Sequence, residues 1–264
     1  MTGPADSSTD TTARPAWSTP DAFASPDAVN QHLELAVSTV VFALRPHPDA
    51  ERPTLWLPLV RRIREPFRGR WALPGGPLED HHDLAASARE TLKATTGLEP
   101  RHLEQLYAFG DVDRSPQTDH RVVSIVYWAL VRPDEDADAH HGQNVRWFPA
   151  DETLARHEDG TAPLAFDHGV ILRYAVQRLR AKITYSPIAH AFLPEEFPLT
   201  RLREVYEAIL GRDLDPSNFR RQVLAQGSVE STGRRMTGTH HRPPVLYRSA
   251  PNRSRYTLTI EENP

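Results

Sequence analysis

At 264 residues, with 39% hydrophobic and 25% charged residues, the chain has an ordinary globular composition and room for two domains. No apolar run approaches the roughly 20 residues that span a bilayer, no apolar signal core stands near the start, and zero cysteines exclude disulfides and thiolate metal sites. A soluble, cytoplasmic protein with no membrane partner is expected, and its net charge of −4 hides a basic C-terminal island. Between Ser217 and Arg255 stand Arg220, Arg221, Arg234, Arg235, Arg242, Arg248, Arg253 and Arg255, opposed within that segment by Glu230 alone.

In chain order, residues 1–28 lack hydrophobic periodicity and carry four prolines, which predicts a disordered tail. Residues 35–44, 54–60, 122–131 and 145–148 are strand-like. A helix is predicted over 83–95, capped by Asp83 and ended by Gly97. Another covers 166–182, where Ile171, Leu172, Ala175 and Leu179 form one apolar face. Tyr185-Ser186-Pro187 breaks this pattern. Residues 199–210 then read as an amphipathic helix, 215–224 as a second, and 229–247 as a hairpin, the order of a winged helix. Phe219, Val223 and Leu224 are expected to face its small core.

Trp71-Ala72-Leu73-Pro74-Gly75-Gly76, followed by a helix ending at Thr96-Gly97-Leu98, resembles the Nudix box of the pyrophosphohydrolase superfamily. Counted from Gly76, the closing glycine falls on Gly97 and the apolar positions on Leu92 and Leu98. The spacing survives, but the first glutamate position is His82, the Arg-Glu pair is Glu90-Thr91, and the Glu-Glu pair is Ala94-Thr95. A register shifted by one restores Arg89-Glu90 and still leaves Lys93-Ala94 where paired carboxylates belong. Hydrolysis in that superfamily needs several carboxylates holding hard divalent cations, so no catalytic residue is assigned and no metal or cofactor is required. The histidine pairs His81-His82, His140-His141 and His240-His241 read as solvated turns, since no third ligand stands at a fixed spacing. Binding can outlast catalysis: a Gly-Gly loop entering a helix would offer phosphate backbone N–H groups and a dipole end.

Tyr185-Ser186-Pro187-Ile188-Ala189, Tyr206-Glu207, Asn218-Phe219-Arg220-Arg221, Thr232-Gly233 and the stretch from Arg242 to Arg248 resemble the NrtR family of Nudix-related transcriptional regulators. Upstream, Tyr107-Ala108-Phe109-Gly110-Asp111 and Leu164-Ala165-Phe166-Asp167-His168 fit the same family, and the likeness covers about residues 33–250. The resemblance implies a homodimeric repressor of NAD-synthesis genes that binds double-stranded operator DNA and is released by ADP-ribose or a related nucleotide effector. Relatives governing sugar catabolism share the architecture, and some members retain hydrolysis.

The expected fold is therefore α+β: a Nudix-type α/β/α sandwich over 29–182, whose last helix is the link, then a winged helix-turn-helix over 183–250 and a tail over 251–264. Candidate ligand residues are Arg61, Arg62, Arg70 and Arg114 for charge, Gly75 and Gly76 for phosphate, and Trp71 for base stacking. Candidate DNA residues are Ser217, Asn218, Arg220 and Arg221, in the first turns of a helix capped by Asp215 with Pro216 at its first position. Arg234, Arg235 and Arg242 lie at or beside the expected wing. Two other readings use the same residues: an active hydrolase of ADP-ribose-like nucleotides whose tail dimerises it, and a sensor that binds protein or RNA.

Overall fold

A computed structural model of the chain describes residues 33–114, 121–132, 135, 144–236 and 243–250. The two expected tails, Arg242, and the pairs His140-His141 and His240-His241 lie outside the described residues. No helix among the described residues is long and apolar enough to cross a membrane.

The centre of the first sheet is β1 (Leu33–Arg45), parallel to β6 (Arg121–Val131) and antiparallel to β2 (Thr54–Arg61) and β4 (Gly75–Pro77). β2 also pairs with β3 (Trp71–Ala72) and β7 (Val145–Pro149), while β5 (His102–Phe109) closes the other edge against β6. β1 and β6 are covered on both faces, so both read as near-continuous apolar runs.

Alternation along these strands sorts the layers. Val37, Val41 and Ala43 join Tyr127, Ala129 and Val131 under Ala88 and Leu92 of α1 (Leu84–Thr96). Val40 and Phe42 join Val126, Trp128 and Leu130 under Ile171, Leu172, Ala175 and Leu179 of α3 (His168–Lys182). Burying a side chain of this size stabilises by about 1.5–3 kcal/mol, so this one-residue parity fixes the register. The Asp83 carboxylate accepts from the Ala86 N–H at 2.7 Å and starts α1; Gly97, at φ 74°, ends it in the left-handed conformation. A short helix, α2 (Ala150–Glu158), packs beside α3 and was not anticipated from the sequence, nor was β5.

Past α3 come a 3₁₀ turn (Pro187–Phe192), β8 (Phe197–Pro198), α4 (Leu199–Leu210), α5 (Pro216–Gln226) and the hairpin β9 (Val229–Arg235) and β10 (Val245–Ser249). β10 lies between β8 and β9 in an antiparallel three-stranded sheet, which completes a winged helix. Asp215 caps α5, its carboxylate accepting from the Asn218 N–H at 2.7 Å, and Pro216 occupies the first turn. Phe219 and Val223 are buried one turn apart, but Leu224, expected in the core, is 40% exposed because the next helical position rotates it out of that stripe. The change of grammar near residue 182 is not a break in packing. One apolar cluster runs from Trp128 and Leu179 through Ile183, Ile188 and Phe192 to Leu202, Tyr206 and Phe219.

Candidate functional site

A cavity of about 360 Å³ lies where the even-numbered face of β1 and β6 runs past the N-terminal end of α3. Ala36, Ser38, Val122 and Ser124 form its floor, Gly75 and Gly76 one wall, and Phe166 and His168 another, with Arg62 and Arg114 supplying charge. The two arginines differ in what they already hold. Arg114, with a side chain 5% exposed, makes a two-pronged ion pair with Asp167 (Nε to Oδ2 2.9 Å, Nη2 to Oδ1 2.8 Å) and donates from Nη1 to the Phe109 carbonyl at 2.7 Å. Its charge is neutralised within the wall.

Arg62 spends its Nε on the Pro66 carbonyl (2.7 Å) and lies 4.5 Å from the Phe166 ring centre, with no carboxylate within ion-pair distance among the described residues. Burial lowers its pKa from the ordinary arginine value, Glu65 opposing, yet a guanidinium stays cationic. The cavity therefore presents the Arg62 cation beside an aromatic face, with Glu34 also among its lining residues.

His168 is buried, and its Nδ1 accepts from the Leu73 N–H at 2.9 Å, which assigns the neutral ring proton to Nε2. Burial pushes its pKa down to about 4 against the raising influence of Asp167. Phe166, on the cavity wall, and Phe67 are both at positive φ (51° and 65°) and meet edge to face at 5.1 Å. Phe166, His168, Ser38 and Ser124 were missed as site residues. The signal for the first two stands in the stretch 164–168, which carries a family likeness but no local chemistry that marks a site.

Other sequence candidates fall elsewhere. Trp71 is not a stacking platform: β3 pairs Trp71 with Arg61, and the ring turns away to pack edge-on against Phe148 at 4.8 Å, while Ala72 and Leu73 reach the cavity. Arg70 lies 5.0 Å from the Phe67 ring and does not line the cavity. Arg61 lines a smaller cleft of about 210 Å³ with Arg62, Arg64, Gly75 and Thr95.

The expected phosphate cradle also needs correction. Gly75 and Gly76 do not enter a helix but form β4 against Ser38 and Val37, and α1 begins only at Leu84, on the opposite face of the sheet. Gly75 is required by close approach, since a Cβ there would stand 2.8 Å from the Val37 carbonyl oxygen. At the box positions, Thr95 donates its hydroxyl to the Thr91 carbonyl (2.6 Å), His82 is exposed before α1, and Ala94 carries no donor. Neutral hydroxyls and a methyl do not fit the hard-cation chemistry of a hydrolase.

In the winged helix, Ser217, Arg220 and Arg221 are exposed on α5, opposite buried Phe219 and Val223. Arg221 Nη2 donates to Asn218 Oδ1 at 2.8 Å, so Asn218 and Arg221 form one polar unit on the helix surface. The hairpin is less cationic than the sequence count implies. Arg234 is ion-paired with Glu196, which comes from the segment before β8, and Arg248 with Glu230. Arg235 donates to the Pro243 carbonyl at 2.8 Å and keeps its charge unpaired by any carboxylate among the described residues.

A ligand-sized cavity in an α/β/α sandwich, joined by a shared core to a winged helix with an exposed basic recognition face, defines a ligand-responsive DNA-binding regulator. Residues 36–167 match the NUDIX domain and residues 189–249 match the NrtR DNA-binding winged helix domain. The chain is 34% identical over 206 residues to the ADPR responsive transcriptional repressor NtrR of Acinetobacter baylyi, covering 76% of this chain and 78% of that one. It is similar to the crystal structure of Shewanella oneidensis NrtR (30% identity, TM-score 0.70, 86% of this chain and 98% of that chain). It is also similar to the same protein complexed with a 27mer DNA (29%, TM-score 0.68, 87% and 99%). The chain belongs to the NrtR family of Nudix-related transcriptional regulators.

Proposed function

We propose that the chain is a homodimeric repressor of NAD-metabolism genes, released from double-stranded operator DNA when ADP-ribose or a closely related nucleotide occupies the sensor cavity. One observation carries the reading: the cavity sets an arginine without a carboxylate partner, Arg62, beside the Phe166 ring, in a domain whose core is continuous with the winged helix. A nucleoside diphosphate joins negative charge to a flat base, and these two features complement that pair. Ser38 and Ser124 offer hydroxyls on the floor. The Acinetobacter relative named as an ADPR responsive repressor points to the same effector.

Operator reading falls to Ser217, Asn218, Arg220 and Arg221, because the first turns of a recognition helix reach base edges, where Asn reads adenine and Arg reads guanine. Arg235 is assigned to phosphate. Two copies on a palindrome supply the affinity that a single small module lacks. The effector acts only through unequal affinity for the DNA-bound and released arrangements. Hydrolysis is not part of this function, since His82, Thr91, Ala94 and Thr95 stand where cation-holding carboxylates are needed.

The test is a mobility shift with the chain's own promoter fragment, with and without ADP-ribose, alongside product analysis in Mg²⁺. The expected result is a retarded band that ADP-ribose dissolves, with the nucleotide recovered intact. A chain that ignores the fragment and cleaves the nucleotide would overturn the reading.

A further inference from the structure

At the junction of sensor and winged helix, a carboxylate that the sequence left unexplained is buried among arginines. Glu207 lies in α4 with its side chain 3% exposed. One of its oxygens accepts from the Leu214 N–H at 2.9 Å and lies 3.5 Å from Arg203 Nη1. The other is 3.1 Å from Arg52 Nη1. Arg52 comes from the loop between β1 and β2 of the sensor, and its Nη2 reaches Asp213, in the turn between α4 and α5, at 2.5 Å.

Leu214 is the residue before Asp215, the cap that starts the recognition helix. A buried carboxylate must be matched by charge and hydrogen bonds, and losing one partner is costly. Arg203, on the same helix, already gives Glu207 a local cation and donates to the Leu214 carbonyl at 3.2 Å. The shorter ion pair nonetheless comes from the sensor. The same sensor loop is tied down at its start, where His47 Nε2 meets Glu152 of α2 at 2.7 Å. From α3, Arg180 grips the Ile209 carbonyl (2.8 Å) at the end of α4 while pairing with Asp151 of α2 (2.8 Å).

We propose that Arg52 is a positioning residue for operator binding: by bridging Glu207 and Asp213 it sets, from the sensor side, the turn that aims the recognition helix, without touching DNA. This rests on the operator-binding reading above. A displacement of the sensor loop strains both pairs at once, so the bridge also links sensor geometry to the angle of α5.

The experiment uses the full chain with its promoter fragment, titrated by fluorescence anisotropy at several salt concentrations, for the unmodified chain and for Arg52→Ala, Arg52→Lys and Asp213→Ala. Thermal unfolding and ADP-ribose titration are run on each. Arg52→Ala is expected to weaken operator binding about tenfold, within the range that coupling residues span. Its salt dependence should keep the unmodified slope, its ADP-ribose affinity should be unchanged, and the drop in operator affinity caused by ADP-ribose should shrink. Arg52→Lys, able to hold one carboxylate, should recover part of the loss. Asp213→Ala, in which Glu207 keeps its cation, separates positioning from misfolding and should weaken binding by a smaller factor.

Operator affinity within twofold of the unmodified chain in both alanine variants overturns the proposal. So does a salt slope lowered by about one, because Arg52 would then be a phosphate contact. If the unmodified chain itself fails to bind the fragment, the operator reading falls first, and the two failures are thereby distinguished.

Discussion

Replacing Arg62 and Arg114 separately by alanine should produce opposite phenotypes, although both arginines line one cavity. Arg62 has no carboxylate partner among the described residues, so its substitution strands no buried charge; the ligand loses a charge-assisted contact of about 1.5–3 kcal/mol. At about 1.4 kcal/mol per decade, ADP-ribose binding should weaken by about ten- to a hundredfold, with more of the loss at low salt. Arg114 is 5% exposed and saturated by Asp167 and the Phe109 carbonyl, so its removal strips a carboxylate that is 17% exposed of its cation and the Phe109 carbonyl of this donor. Breaking a buried pair costs about 3–5 kcal/mol, or roughly 6–20 °C of melting temperature for a unit of this size. Isothermal titration and calorimetric melting on both variants decide the matter. The reasoning fails if Arg62→Ala binds ADP-ribose within threefold of the parent, or if Arg114→Ala melts with it.

Exchanging Arg220 and Arg221 together for alanine should abolish the specific promoter shift while leaving the melting temperature within about 2 °C, since both are exposed; an unchanged shift would move the reading surface off α5. Glu196→Gln frees Arg234 from its ion pair, so operator binding should tighten and the slope of log Kd against log salt should steepen by up to about one, as measured by anisotropy. His168 gives a pH signature. Its native pKa is about 4 against 6.5 for the ordinary group, so below pH 6.5 the unfolded chain takes up a proton that the native ring refuses. Stability should therefore fall by up to about 3 kcal/mol between pH 6.5 and 4, with no contribution above 6.5. Urea melts of His168→Gln against the parent should show this slope flattened.

The capped helix over α1, the strands at the centre of the sheet and the helix–turn–helix order were legible because each depends on residues near one another in sequence. Asp83 and Gly97 bracket α1 through local hydrogen bonds, and Asp215 with Pro216 starts α5 in the same way. β5 escaped notice because, as an edge strand only partly buried, it carries Glu104 and Gln105 within the run and no clean alternation. Leu224 looked like core because it neighbours Val223, and one helical step is enough to expose it.

Charge was where counting along the chain failed most. Glu196 neutralises Arg234 across 38 residues and Asp167 neutralises Arg114 across 53, so neither arginine's freedom could be judged from its sequence neighbours. The cavity's location followed the same rule. Whether Ser38 and Ser124 face α1 or α3 depends on strand parity and on the parallel pairing of β1 with β6, set by which apolar residues each face must bury. What the linear order of residues determined by itself was short-range chemistry: caps, periodicity, and the residue types that stand at the box positions. Which arginines keep an available charge, which aromatic rings line the cavity, and how the first domain grips the helix–turn–helix were decided only in three dimensions, because ion pairing and burial depend on separation in space.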